Sequence, residues 1–279
     1  MTRFTFAREA PDRHAAPHDD RARRLDALRR KVGALEAAPE ANASQSEVAP
    51  APWRFGLADV DTALPDGGLA CGALHEIAGD SHTDMTAAAG FCLGLLRLLP
   101  PLSPTRGAIL WVRSRFARRE FGALYGHGLS AFDLDPANLL FAETGGAKDA
   151  LWAIEEGARA GCLKAVIGEA GAPDFKQTQR LSRAAAVSRT PVLLLIPPDS
   201  GRASTAATRW RIARAPGPPD AYDDRAPGSL RWHAMLTRCR GGRPKDWFME
   251  WRDEAHRFDL AAGLSDRPAE DCGSAQAAG

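Results

Sequence analysis

Gly79, Asp84, Met85 and Thr86 stand at the spacing of a phosphate-binding loop. A strand-like run, Ala73–Ala78, ends at Gly79, and a strongly apolar helical stretch (MTAAAGFCLGLLRLL) begins at Met85. In such a strand–loop–helix frame, backbone N–H groups and the helix N-terminus cradle phosphates, and the pattern needed is Gly, four residues, then Gly-Lys-Ser/Thr. Here those last three positions read Asp84, Met85 and Thr86. Thr86 keeps a magnesium-ligating hydroxyl, Met85 has no charge to neutralise phosphates, and Asp84 adds a negative one. A carboxylate about 4 Å from a phosphate charge costs roughly 1 kcal/mol in water and about 4 kcal/mol at an effective dielectric of 20. The expectation is a loop of phosphate-binding form that holds no nucleotide, no metal and no other cofactor.

Other chemistry-bearing residues do not assemble into a catalytic site. His75 and Glu76 are neighbours on a strand and point to opposite faces, so they cannot act as an acid/base pair. His82 and Asp84 share a loop but lack a third partner for a triad or a metal. Glu169 closes LKAVIGEAG as a strand-end carboxylate or a magnesium ligand. Cys71, Cys92, Cys162, Cys239 and Cys272 are dispersed, without a Cys-x-x-Cys pair, which fits reduced thiols in a cytosolic protein. Contact surfaces are the remaining candidates. Trp247, Met249 and Trp251 alternate onto one face, as do Trp210 and Ile212. Core packing, a base-stacking platform and a protein-docking surface all fit that stripe. Arg209 and Arg211, with Arg202 before them and Arg240 and Arg243 in a hairpin turn, are candidates for phosphates or an acidic partner.

The elements that must position these residues alternate. Strands are expected at Gly72–Ala78, Ala108–Arg113, Asn138–Ala142, Lys164–Glu169 and Val192–Ile196. Between them lie helices at about Asp84–Leu99, Ala117–Gly126, Ala147–Ala160 and Asp174–Ser188. This order predicts an α/β fold with a mainly parallel sheet flanked by helices. The helix after the first strand is apolar nearly all round and must be buried. Beyond Ile196, ATRWRIAR, SLRWHAMLTRCR and DWFMEWR read as C-terminal antiparallel strands, the last two joined at GGRP. Three regions result: an amphipathic helix and linker at 1–52, a main domain at 53–257 with the terminal hairpin, and a disordered tail at 258–279. In the first, Leu25, Leu28, Val32 and Leu35 recur at helical spacing, and Arg24 and Arg30 belong to a basic side that is either solvated or a docking arm.

The chain of 279 residues has 44% hydrophobic residues and a formal charge of +1, which excludes a uniformly basic nucleic-acid coat and wholesale disorder. That near-neutral sum hides segments: residues 202–257 carry twelve basic and seven acidic residues, and residues 258–279 carry one and four. The first residues (MTRFTFAREAPDRH) lack the apolar core of a signal peptide, and the stretch Met85–Leu102 is interrupted by Arg97, Pro100 and Pro101. A cytoplasmic protein is expected.

The segment FGLADVDTALPDGGLACGALHEIAG, residues 55–79, resembles the entry to a RecA core, where a short helix and a Gly-Gly turn precede the phosphate-loop strand. Similarity continues through GAILWVRS, LDPANLLFAETGGAKDALWAIEEGARAGCLKAVIGEAG and TPVLLLIPP, so it spans residues 53 to 215. With the altered loop, the Arg-rich first helix and the Trp-containing hairpin, the chain resembles the ImuA family, RecA-like products of bacterial SOS mutagenesis cassettes. A working RecA core carries a water-activating glutamate after its second strand. Here that strand runs into Arg113, Ser114 and Arg115, and arginine cannot act as a general base. The loops corresponding to the RecA DNA-binding loops, AGAPDF and PPDSGRASTAAT, are short, and the nucleotide-sensing polar residue is replaced by Pro197 or Pro198.

The resemblance thus implies a pseudo-ATPase that forms no RecA-type filament and acts as an adaptor in DNA-damage-induced mutagenesis and translesion synthesis. Its implied partners are an ImuB-type relative of Y-family polymerases and an error-prone replicative-type DNA polymerase, with RecA a further candidate and weak DNA contact left open. Two alternatives stand beside it. One is a divergent DNA-dependent ATPase or recombination mediator. The other is a SulA-like cell-division inhibitor, which the long N-terminal arm and extended C-terminal region fit less well.

Overall fold

Short apolar runs that alternate with amphipathic stretches produce parallel strands linked by crossover helices. The computed structural model describes residues 51–101, 107–218, 223 and 228–261. The helix expected before the linker, with Arg24 and Arg30, lies outside them. The first described elements are a short helix α1 (Ala58–Asp61) and a turn at Pro65–Gly67. Next come β1 (Leu74–Gly79), α2 (Met85–Leu98), β2 (Ile109–Ser114), α3 (Arg115–Phe121) and α4 (Gly126–Ser130). The parallel part is completed by β3 (Leu139–Thr144), α5 (Ala147–Arg159), β4 (Ala165–Glu169), α6 (Phe175–Ser188) and β5 (Val192–Ile196). Four strands close the order: β6 (Thr208–Arg214), β7 (Arg231–Cys239), β8 (Lys245–Arg252) and β9 (Arg257–Leu260).

Among the described residues all nine strands form one sheet in the order β3-β2-β4-β5-β1-β6-β7-β8-β9. Pairing is parallel from β3 through β6 and antiparallel from β6 to β9. This is the RecA-like α/β arrangement with an antiparallel extension. The sheet has a core on each face. On one, Leu74, Val112, Val166, Val192, Leu194 and Ile196 pack against Ile154 of α5 and Leu181 of α6. On the other, Ile77, Trp111, Ile167, Leu193 and Leu195 join α2 and the aromatic side chains of β6 to β9.

The all-round apolarity of α2 has a structural cause. It meets β1, β5 and β6 of the sheet and also β9, while the Trp53 indole donates to the Leu95 carbonyl at 2.9 Å and the Trp232 indole to that of Ala87 at 3.0 Å. A Cβ on Gly94 would sit 2.6 Å from Phe258 Cζ, so only glycine admits that ring against the helix. Phe91, Trp210, Trp232, Trp251 and Phe258 form a buried aromatic cluster with several centroid separations between 5.1 and 6.0 Å. Each such pair contributes about 0.5–1.5 kcal/mol beyond its area.

Two expectations are corrected here. The ordered chain does not end at 257: β9 pairs with β8, placing Phe258 opposite Trp251 in the core at 1% exposure. A four-residue strand is too short to show periodicity, and its identity comes from cross-strand pairing. The second concerns Trp247 and Trp251, candidates for base stacking or partner contact. Both are buried, at 6% and 1%, with their indoles donating to Asp59 Oδ2 and the Ala131 carbonyl. Inward-facing alternate residues of a strand become core when the opposite layer covers them. Trp210 and Met249 are buried beside them.

Candidate functional site

The loop after β1 keeps the outline of a phosphate cradle, and it carries a carboxylate of its own, that of Asp84, bonded within it. Gly79 is required because a Cβ there would lie 2.6 Å from the Ser81 carbonyl oxygen and 2.7 Å from the Met85 amide nitrogen. The chain then turns through Ser81 into a 3-10 turn, His82–Asp84, that leads straight into α2. Ser81 and Asp84 form a capping box across it. Asp84 Oδ2 accepts from the Ser81 amide at 3.2 Å and the Ser81 hydroxyl at 2.5 Å. Its Oδ1 accepts from the Arg214 amide at 3.2 Å.

Several amides of this loop donate within the protein. That of Gly79 donates to Met85 Sδ at 3.3 Å, that of Asp80 to the Ile212 carbonyl at 2.8 Å, and that of Asp84 to the Ser81 carbonyl at 3.1 Å. Burial raises the Asp84 pKa, but hydrogen bonds from Ser81 and Arg214 and the Arg214 charge outweigh it and hold the carboxyl below its ordinary value. The result is a buried anion at the start of α2. Met85 is buried, and Thr86 is exposed with its hydroxyl 3.5 Å from the Thr83 carbonyl.

At the ends of β2 and β4 the register sets Arg113 opposite Glu169. Glu169 Oε1 accepts from the Trp111 indole at 2.5 Å, and Oε2 lies 3.4 Å from Arg113 Nη2. Burial pushes the Glu169 pKa up, opposed by the Trp111 hydrogen bond and the Arg113 charge. A carboxylate at this strand end is thus tied to an indole and an arginine. Nucleoside triphosphate and magnesium find a poor fit: the loop presents a carboxylate, Met85 presents no charge, and Glu169 is already partnered.

The candidate arginines separate into different roles. Arg209 is no free contact, because its Nε pairs at 2.7 Å with Glu76, which also accepts from the Ser204 hydroxyl at 2.5 Å. Arg209 Nη2 reaches the Arg202 carbonyl at 2.9 Å and Arg240 Nη2 the Thr205 carbonyl at 2.8 Å, so these two guanidinium groups converge on residues 202–205, while Arg202 Nη1 reaches the Ala172 carbonyl at 3.2 Å. Arg211 stands apart, bound to Asp80 Oδ1 at 2.7 Å. Arg243 is exposed in the β7–β8 turn. His75 is a core histidine between Thr208 Oγ1 and the Ala70 carbonyl, and burial lowers its pKa to about 4.

Sequence reasoning did not find a cavity of about 800 Å³ beside α2, floored by Trp111, Arg113 and Glu169 and walled by the α3–α4 segment. Its signal is faint: Phe116, Phe121 and Tyr125 cluster after β2, but nothing in the sequence says which of them face a common space.

The described residues thus define a RecA-like α/β domain in which Asp84 bonds to Ser81 in the loop after β1. No family model matches the chain. It is 34% identical over 228 residues to Protein ImuA from two strains of Caulobacter vibrioides, covering 76% of this chain and 89% of the relative. The chain belongs to the ImuA family. Among the described residues no helix is long and apolar enough to cross a membrane.

Proposed function

We propose that this protein is a non-catalytic RecA-like adaptor in DNA-damage-induced mutagenesis and translesion synthesis, and that it helps assemble an error-prone polymerase complex in the cytoplasm. The observation that carries the reading is the Asp84 carboxylate, bonded inside the phosphate loop to Ser81 and Arg214. A triphosphate would have to displace those bonds and meet a second negative charge. The engagement of Glu169 by Trp111 and Arg113 supports it, because the end of β2 offers no carboxylate to activate water.

Membership of the ImuA family favours an ImuB-type polymerase relative as the direct partner and an error-prone replicative-type polymerase in the same assembly. Arg202, Arg211, Arg240 and Arg243 remain candidates for partner or DNA contact. Two experiments test the reading. Calorimetry with ATP and magnesium is expected to show no heat of binding, and a micromolar dissociation constant overturns the pseudo-ATPase assignment. Co-purification of the intact chain with the ImuB-type protein of the same genome is expected to give a stable complex. The full chain is needed, because β6 to β9 are part of the one sheet. No complex with that protein, together with binding to FtsZ, would instead establish the cell-division reading.

A further inference from the structure

The cavity beside α2, which also reaches His82, Met85 and Thr86 of the loop after β1, combines three features. Its volume, about 800 Å³, is enough for two or three large side chains, and Leu93, Ala89, Leu129, Phe132 and Leu195 supply apolar walls. Its rim carries large apolar groups in water: Phe116 is 70% exposed, Tyr125 71% and Leu230 46%. Scattered exposed apolar residues are ordinary, but an exposed set around a deep apolar cavity marks a site of association. The third feature is Arg113. Its side chain is only 8% exposed and lines the cavity, and among the described residues its Nε is buried without a hydrogen-bond acceptor. Its one carboxylate contact, to Glu169, is a long 3.4 Å. A buried guanidinium donor left unpaired costs about 1–3 kcal/mol or more, a cost relieved when an acceptor arrives.

We infer that this cavity is the docking site for a segment of a partner protein that inserts two or three large apolar side chains and presents one carboxylate to Arg113. Charge complementarity chooses the acidic segment over a basic one. The α3 arginines take no part, because Arg115 and Arg118 pair with Glu143 at 3.8 and 2.7 Å and it is Phe116, Ala117 and Phe121 of α3 that line the cavity. A basic segment would set a second cation beside Arg113 and leave its Nε unpaired.

The inference rests on the adaptor reading, and the test separates the two. Fluorescein-labelled 15-residue peptides tiled across the ImuB-type protein are titrated against the full chain by fluorescence anisotropy, alongside the intact ImuB-type protein. One contiguous stretch of acidic, apolar peptides is expected to bind. Changing its Asp and Glu residues to amides is expected to weaken it at least tenfold. Ala89→Trp, which fills the cavity, is expected to abolish binding. Because that variant could perturb the fold, Phe116→Ser with Tyr125→Ser, on exposed positions, is measured beside it and is expected to weaken binding at least tenfold. Intact partner binding that is indifferent to all these changes overturns the docking site and leaves the adaptor reading standing. Absence of any binding by the unmodified chain overturns both.

Discussion

Substitution of Asp84 by alanine removes the group that closes the phosphate loop. Three donors lose their acceptor: the Ser81 amide at 3.2 Å, the Ser81 hydroxyl at 2.5 Å and the Arg214 amide at 3.2 Å. A hydrogen bond to a charged group contributes about 1.5–3 kcal/mol, and loss of a helix-capping side chain costs about 0.5–2 kcal/mol. These contributions overlap, and the two amide contacts are long, so the expected destabilisation is about 2–3 kcal/mol. For a domain of this size that lowers Tm by roughly 5–10 °C. Asp84→Asn keeps an acceptor of the same shape and is expected to lose about half as much. The pH dependence has a defined sign. Hydrogen bonds and Arg214 hold the folded pKa below the ordinary 3.8, despite burial, so the contribution of Asp84 is complete above that value and is lost only as pH falls through the lower folded pKa. Urea denaturation of both proteins between pH 3 and 8 is expected to show a constant gap above pH 5 that narrows in acid. Stability of Asp84→Ala within 0.5 kcal/mol of the parent throughout pH 5–8 would refute the idea that the carboxylate holds the loop.

Glu76→Ala strands the partly buried Arg209 and the Ser204 hydroxyl, and is expected to cost about 3–5 kcal/mol by urea denaturation. Phe258→Ala is expected to cost a similar 3–5 kcal/mol, and truncation after 257, which removes Phe258 and most of β9, should destabilise the domain as well. Gly94→Ala forces a methyl against the Phe258 ring and is expected to cost about 1–3 kcal/mol, relieved when Phe258 is replaced by leucine in the same chain. His75 is held neutral, with its pKa lowered by burial to about 4 against 6.5 in the unfolded chain. Stability should therefore be full above pH 6.5 and fall between pH 6.5 and 4, by at most about 1.4 kcal/mol per pH unit, and His75→Gln should flatten that slope.

The parallel half of the fold was legible because each element announces itself locally. Val192–Ile196 is a run of apolar residues bounded by Pro191 and Pro197, and its strand boundaries are those expected. Asp174 caps α6 through a box with Gln177, two residues whose spacing alone names a helix start. Helix α3 was less legible. It runs Arg115–Phe121, not Ala117–Gly126, because the Ser114 side chain caps it at 3.2 Å and Gly122 ends it at φ 75°. The alternation of Trp247, Met249 and Trp251 fixed a common face and left open what lay against it.

The sequence by itself determined what the phosphate loop lacks, since Met85 and Asp84 are read off directly, together with the order of strands and helices that belongs to a RecA-like core. It also determined that α2 must be buried, because no face of it is polar. Only the tertiary structure decided which groups replace the missing chemistry. Asp84 meets Arg214 across 130 positions, Trp111 meets Glu169 across 58, and Phe258 reaches Gly94 through the last strand of the sheet. Such pairs are set by strand register and layer packing, which bring distant residues together without leaving a periodic mark in either local segment.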